Sequence, residues 1–233
     1  ALPGLLAAIG LTAAILAPVA NALNFVEDFQ FIHALVFASL IAATDPIAVV
    51  ALFKSLGAPK RLGVLIEGES LLNDGAAVVI FTLVLTVAAG GELTLPAALG
   101  KFVVVAGMGL LIGVIFGLAA SWLMRFIDEP MVEITLTTIA AYGSFVAAEH
   151  FHWSGVIATV VAGMLCGNYA ATTGMSPSTR IAVESFWEYV AFALNSIVFL
   201  LIGFEVDIFD MLASWQPIVV AWLAVMAARV VVV

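Results

Sequence analysis

Long apolar runs, separated by short polar breaks, dominate this sequence. A helix that crosses a bilayer uses about 20 mostly apolar residues, so runs of this length strongly restrict the possible folds. The runs are continuously apolar and do not alternate with polar residues, which favours helices over the strands of a membrane barrel. We therefore predict an all-α polytopic membrane protein. Its eight predicted spans are residues 2–21, 34–53, 62–89, 99–124, 131–149, 153–171, 186–204 and 215–233.

The composition agrees with this prediction and excludes several functions. Only 10% of the 233 residues are charged, whereas a soluble domain carries roughly 25%. Seven Lys and Arg stand against sixteen Asp and Glu, so no basic surface is available for a nucleic acid, and we expect none as a partner. The chain starts at Ala1 and ends within an apolar run, so we expect one transmembrane domain, residues 1–233, truncated at both ends.

The loop charges predict an orientation. Five basic residues fall in alternate loops on one side, and the opposite loops carry the single basic residue Lys101. Basic loops face the cytoplasm in most membrane proteins. The five residues are Lys54, Lys60, Arg61, Arg125 and Arg180. Glu133, Glu184 and Glu188 lie at the inner ends of their spans, and we expect them to be solvated at the membrane interface.

Three acidic residues lie within predicted spans, away from the loops and the span ends. Asp45 is about eleven residues into its span, roughly 16 Å at about 1.5 Å per residue, which is near the bilayer midplane. Asp74 lies at a similar depth in the next span, and Glu69 precedes it by about a turn and a half. A carboxylate at this depth is costly unless it faces a cavity or a partner, so these positions indicate function.

A proline follows the first of these acids, in Thr44-Asp45-Pro46. A proline in mid-helix removes a backbone donor and clashes with the preceding turn. The resulting break exposes carbonyl oxygens at membrane depth, which is tolerated where they line a cavity and is how many transporters hold ions. A simple proline kink is the alternative, but the adjacent Asp45 favours an ion site.

The densest polar cluster is Gly68-Glu69-Ser70-Leu71-Leu72-Asn73-Asp74-Gly75. Ser70 and Asp74 are four residues apart, as are Glu69 and Asn73, so each pair shares one side of a helix. Oxygen ligands of this kind select hard cations such as Na⁺ or Li⁺ over soft transition metals. Acids this close cannot all be charged cheaply and titrate together. A site that holds either a proton or a cation can exchange one for the other.

Two motifs resemble a known family. Ala43-Thr44-Asp45-Pro46-Ile47-Ala48-Val49, followed by Glu67-Gly68-Glu69-Ser70-Leu71-Leu72-Asn73-Asp74, is similar to the sodium/proton exchanger family, in the microbial type of its monovalent cation:proton antiporter-1 branch. The 24-residue step from Asp45 to Glu69 also fits, as do the segments 148–155 and 197–203. Asn195 stands where animal exchangers often have Glu, which favours the microbial type.

The resemblance implies a 13-helix inverted-repeat fold with a broken helix at Thr44–Pro46. In such a fold a dimerisation domain supports a mobile ion-carrying core, so the resemblance also implies a homodimer. It implies no cofactor, only the transported ions Na⁺ or Li⁺ and H⁺, and a place in the cell (inner) membrane of a microbe. This chain would correspond to helices 4 to 11. The second broken helix of the crossing, expected after Arg229, is absent, so we expect the chain not to transport by itself.

The resemblance also assigns roles to residues. Asp74 matches the essential cation-binding and proton-binding aspartate, and Asn73 matches the Asn-Asp pair of the electroneutral exchangers. Glu69 and Ser70 match side-chain ligands, and Thr44 matches a main-chain ligand at the break marked by Pro46. Asp45 matches a carboxylate that acts as a ligand directly or through water. Arg229 matches a core arginine that compensates acidic side chains. Because Arg229 lies near the chain end, snorkelling to the membrane interface is an alternative reading of it.

These observations favour electroneutral one-for-one exchange of Na⁺ or Li⁺ for H⁺ at a site centred on Asp74. Two alternatives stay open: an ion-sensing or regulatory membrane domain derived from a transporter, and a K⁺/H⁺ antiporter. We do not expect an enzyme, because the polar cluster contains no nucleophile paired with a histidine or cysteine.

Overall fold

A computed structural model describes residues 2–25, 28–44, 46, 49, 52–53, 55–57, 59–91, 94–170 and 174–232. The predicted ligand Asp45 lies outside the described residues, as do the loop charges Glu27, Lys54 and Glu92. The regular secondary structure of the described part is helical throughout, which confirms the all-α prediction.

The helices follow the apolar runs. They are α1 (Leu2–Ala22), α2 (Phe31–Ile41), α3 (Lys60–Ala88), α4 (Leu95–Met124), α5 (Pro130–His150), α6 (Gly155–Leu165, extended by a π-helical turn at Cys166–Ala170), α7 (Pro177–Glu205), α8 (Ile208–Ala213) and α9 (Trp215–Val232). Within the described residues, six helices are long and apolar enough to cross a membrane, and α2 and α6 are shorter apolar helices. Each of the eight predicted spans overlaps one of these helices, as a multi-pass membrane protein requires.

The second helix ends where the sequence dictates. Helix α2 stops at Ile41, and Ala43, Thr44 and Pro46 are not helical. The ring of a proline clashes with the carbonyl group four residues before it. For Pro46 that residue is Ala42, the C-cap of α2. The predicted break is therefore present, and the proline explains why the helix ends before Thr44.

The chain divides into two compact units, of which unit 1 comprises Ala1–Val103 and Ser214–Val233. In unit 1, α1 packs against α2 and α9, and α2 also packs against α3. Alanines fill the contacts, since Ala13, Ala34 and Ala228 are fully buried. Small side chains let helix backbones approach closely, which is the usual way that membrane helices associate.

Unit 2 comprises Val104–Ala213, in which α5 packs against α6 and α7. Helix α4 meets α6 through a ridge of glycines. A Cβ atom at Gly109 would lie 2.5 Å from the carbonyl oxygen of Ser154, and one at Gly117 would lie 2.9 Å from the Cβ of Leu165. Gly113, between them, would meet the backbone of Ala158. These glycines serve helix packing, as the Gly-x-x-x-Gly spacing indicates.

Helix α7 begins at Pro177, nine residues before the predicted span, which starts at residue 186. Ser176 is its N-cap, with a side-chain oxygen that accepts a hydrogen bond from the backbone of Thr179, and Pro177 follows at the first helical position. Serine and proline at these positions are typical of helix starts. The extra turns cover part of α5, and the expected solvation of Glu133 is wrong, because this residue is 0% exposed within unit 2. Glu184 and Glu188 are exposed, as expected.

Candidate cation site

The polar cluster lies on α3, in its first half. Ser70 is buried, Asn73 and Asp74 are half-buried, and Glu69 is exposed. Because α3 is helical without interruption here, Ser70 and Asp74 lie one turn apart on the same face, as do Glu69 and Asn73. The helix therefore presents a hydroxyl and a carboxylate together, with the amide of Asn73 beside them.

Ser70 connects this face to the helix break. Its hydroxyl group donates a hydrogen bond to the main-chain carbonyl of Thr44. The family resemblance assigns ligand roles to both of these oxygen atoms. They are 26 residues apart in the sequence, and the packing of α2 against α3 brings them into direct contact.

Asn73 holds the same segment at two points. Its side-chain amide nitrogen donates to the carbonyl oxygen of Ala42 at 3.4 Å and to the hydroxyl oxygen of Thr44 at 3.3 Å. An aspartate at this position could not make these donations when charged, because a carboxylate only accepts hydrogen bonds. Asn73 therefore has a structural role at the break in addition to its effect on the charge of the cluster.

Arg229 reaches the break from α9. Its guanidinium group donates to the carbonyl oxygen of Ile41 at 3.3 Å. A cation near the last carbonyls of a helix is favourable, because these groups lack helical partners and carry partial negative charge. The observed partner is thus a main-chain carbonyl, whereas the resemblance implies compensation of acidic side chains.

The side chains of Ser70, Asn73 and Arg229 each donate a hydrogen bond to a main-chain carbonyl group near the helix break. The end of α2 and the residues after it expose carbonyl groups inside the apolar region, where an unsatisfied carbonyl is costly. Side chains from two other helices satisfy three of these carbonyls. The pairs are Arg229 with Ile41, Asn73 with Ala42, and Ser70 with Thr44.

The sequence suggested the candidate ligands but did not predict the side-chain hydrogen bonds to the main-chain carbonyl groups at the helix break. The sequence places Asn73 in the cluster by its spacing and by the family pattern. Its amide nitrogen could also have been recognised as a donor, because a broken helix needs donors for its free carbonyls. Pro46 is described and lies outside any helix, as predicted. Hydroxyl, carbonyl and carboxylate oxygens at this place suit a hard monovalent cation.

Among the described residues, six helices are long and apolar enough to cross a membrane, which defines a polytopic membrane protein. The chain belongs to the sodium/hydrogen exchanger family, since the model of the transmembrane region, described as "Sodium/hydrogen exchanger, transmembrane", matches residues 1–233.

Curated relatives agree with this assignment. The chain is 42% identical to the low-affinity Na⁺/H⁺ antiporter NhaS1 of Synechocystis, over 91% of this chain and 41% of that protein. It is 40% identical to the Na⁺/H⁺ antiporter ApNhaP of Aphanothece halophytica, over 97% of this chain and 44% of that protein. It is also 42% identical to the Na⁺/H⁺ antiporter NhaG of Bacillus atrophaeus, over 84% and 38%. The chain thus spans about two-fifths of the length of these relatives.

Proposed function

We propose that the protein is a secondary transporter, and not an enzyme, that exchanges Na⁺ or Li⁺ for H⁺ across the cell membrane of a microbe. The observation that carries the proposal is the contact of Ser70 with the Thr44 carbonyl at a helix break, one turn from Asp74. This arrangement places oxygen ligands beside a carboxylate at membrane depth. The relatives named as Na⁺/H⁺ antiporters support the choice of ions, and no observation favours a sensor domain.

The proposed mechanism uses one carboxylate for both ions. When Asp74 is charged, it binds a cation with Ser70 and the Thr44 carbonyl, and Glu69 and Asp45 complete the ligand set. When Asp74 is protonated, the cation loses its main countercharge and leaves. Because one carboxylate carries either a proton or a cation, each cycle moves one cation against one proton, which makes the exchange electroneutral. The neutral Asn73 supports this through the family pattern. Movement of the loaded site between the two sides would require a homodimeric, full-length protein of the kind that the family resemblance implies.

The Asp74→Asn variant of the full-length protein tests this function. In proteoliposomes with an internal pH dye, the wild type should show Na⁺-driven and Li⁺-driven proton flux, and the variant should show none. Glu188→Gln is the matched control, because it removes an exposed carboxylate from α7. Normal Na⁺-driven flux in Asp74→Asn would show that the assignment is wrong. A wild type that responds to K⁺ alone would identify a K⁺/H⁺ antiporter instead.

A further inference from the structure

Glu133 is a buried carboxylate, far in sequence from the site on α3. It lies in the first turn of α5 and is 0% exposed. Among the residues that the structure describes, neither of its carboxylate oxygens has a hydrogen-bond partner. A buried carboxylate that is neither hydrogen-bonded nor paired is among the costliest groups that a protein interior can hold. A bound positive charge would remove this cost.

No basic side chain of unit 2 supplies that charge. Residues 104–213 contain two arginines and no lysine. Arg125 donates a hydrogen bond to the hydroxyl group of Tyr169, and Arg180 forms an ion pair of 2.8 Å with Glu184. The nearest histidine on the same helix, His150, is seventeen residues away at the other end of α5, which is roughly 25 Å at about 1.5 Å per residue.

The surroundings of Glu133 offer further oxygen ligands instead. The carboxylate of Asp128 interacts electrostatically with Glu133, and it is exposed. Asp128 accepts a hydrogen bond of 3.2 Å from the hydroxyl group of Thr179, which is itself 1% exposed. The hydroxyl oxygen of Thr179 also accepts a hydrogen bond of 3.0 Å from the hydroxyl group of Ser176, so one of its two lone pairs remains for a ligand. Asp128 and Thr179 are thus joined at the start of α7, and Glu133 lies five residues after Asp128, in the first turn of α5.

Two cross-helix contacts hold this region closed. The Asp128–Thr179 bond lies at the start of α7, and the indole nitrogen of Trp187 donates to the hydroxyl oxygen of Thr137 at 3.0 Å two turns further along α7. Glu133 lies between Asp128 and Thr137 in the sequence and one turn before Thr137 on the same face of α5. Both contacts therefore join α7 to the part of the chain around Glu133, within unit 2.

We propose that Glu133, together with Asp128 and Thr179, forms a second cation-binding site in unit 2, which takes a hard cation such as Na⁺. The exposed Asp128 is the point of entry, and Glu133 is the buried ligand that neutralises the ion. The site is separate from the cluster around Asp74, which belongs to unit 1. Its two carboxylates and hydroxyl group are hard oxygen ligands, as an alkali-metal ion requires.

The test uses the full-length protein with the first site removed. In the Asp74→Asn background, the midpoint of thermal unfolding is measured in detergent in NaCl and in choline chloride of equal ionic strength. A cation that binds only the folded state raises this midpoint. We expect Na⁺ to raise it by about 2–4 °C, and we expect Glu133→Gln in the same background to abolish the rise. Glu184→Gln is the control, because it removes an exposed carboxylate from the same unit and should keep the rise.

Three results would overturn the proposal. The first is an Asp74→Asn variant with no Na⁺-dependent rise, which would mean that Glu133 holds only a proton. The second is an unchanged rise after Glu133→Gln. If Glu133→Gln does not fold, the exposed Asp128→Asn takes its place, and an unchanged rise in that variant is the third. Each result is independent of the transport assay for Asp74, so failure of this site and failure of the proposed exchange remain distinguishable.

Discussion

The amide group of Asn73 allows a quantitative test of how the helix break is held. Its two donations, at 3.4 Å to the Ala42 carbonyl and 3.3 Å to the Thr44 hydroxyl, are longer than the usual range of about 2.7–3.2 Å. Each bond therefore belongs at the lower end of the roughly 0.5–1.5 kcal/mol typical of protein hydrogen bonds. Asn73→Ala removes both hydrogen bonds, and we expect it to destabilise the observed position of Thr44 by about 1–1.4 kcal/mol.

This loss should appear as weaker cation binding, because Thr44 supplies a proposed ligand. Since about 1.4 kcal/mol corresponds to a tenfold change in an equilibrium constant, the Na⁺ concentration for half-maximal exchange should rise about 5- to 10-fold. The assay is a Na⁺ titration of proton flux in proteoliposomes that contain the full-length protein. Thr82→Ala is the control on the same helix, since its hydroxyl group donates a hydrogen bond within α3, to the Val78 carbonyl. An unchanged half-maximal concentration in Asn73→Ala would refute the anchoring role.

Two further predictions concern the packing of unit 2, and both are measured by thermal or denaturant unfolding in detergent. Gly113→Ala should destabilise the protein by about 1–3 kcal/mol, because the added Cβ overpacks against the backbone of α6. Gly107→Ala is the control and should not destabilise it, since a Cβ there meets nothing within 4 Å. Equal effects of the two substitutions would show that the glycine ridge does not pack as described. Ser154→Ala should lower the free energy of unfolding by about 1 kcal/mol, because the Ser154 side chain accepts a hydrogen bond of 3.2 Å from the backbone of Ile157 at the start of α6. An unchanged free energy of unfolding would mean that water replaces this cap.

The positions of the helices could be predicted because the bilayer fixes their length and the apolar runs record it. The break after α2 could be predicted as well, because a proline at position 46 removes a backbone donor and clashes with the preceding helical turn. The end of α2 at Ile41 follows from the same clash, because the residue four positions before Pro46 is Ala42, the C-cap of the helix. Hydropathy and the position of Pro46 were sufficient for these features, since each depends on local residues.

The environment of Glu133 could not be predicted from hydropathy, because it depends on a neighbouring helix. The polar residues 176–184 lower the hydropathy there, so the span was placed from 186, while α7 begins at Pro177. Glu133, which hydropathy places at the membrane interface, is instead 0% exposed. The Ser176-Pro177 pair was the local signal that could have shown this earlier start. The partners of Asn73 and Arg229 likewise follow from the packing of separate helices and have no signature in the sequence.

The hydrogen bond from Ser70 to the Thr44 carbonyl has a consequence for the speed of exchange. A carbonyl oxygen has two lone pairs, and a hydroxyl group that donates its only hydrogen keeps both of its own. In the proposed site, both oxygens can therefore coordinate an ion without first giving up their mutual bond. Such a site is preorganised, so that little reorganisation energy accompanies entry or departure of the ion. The rate of switching between proton and cation would then depend on Asp74 and on access to it, and not on rebuilding the break.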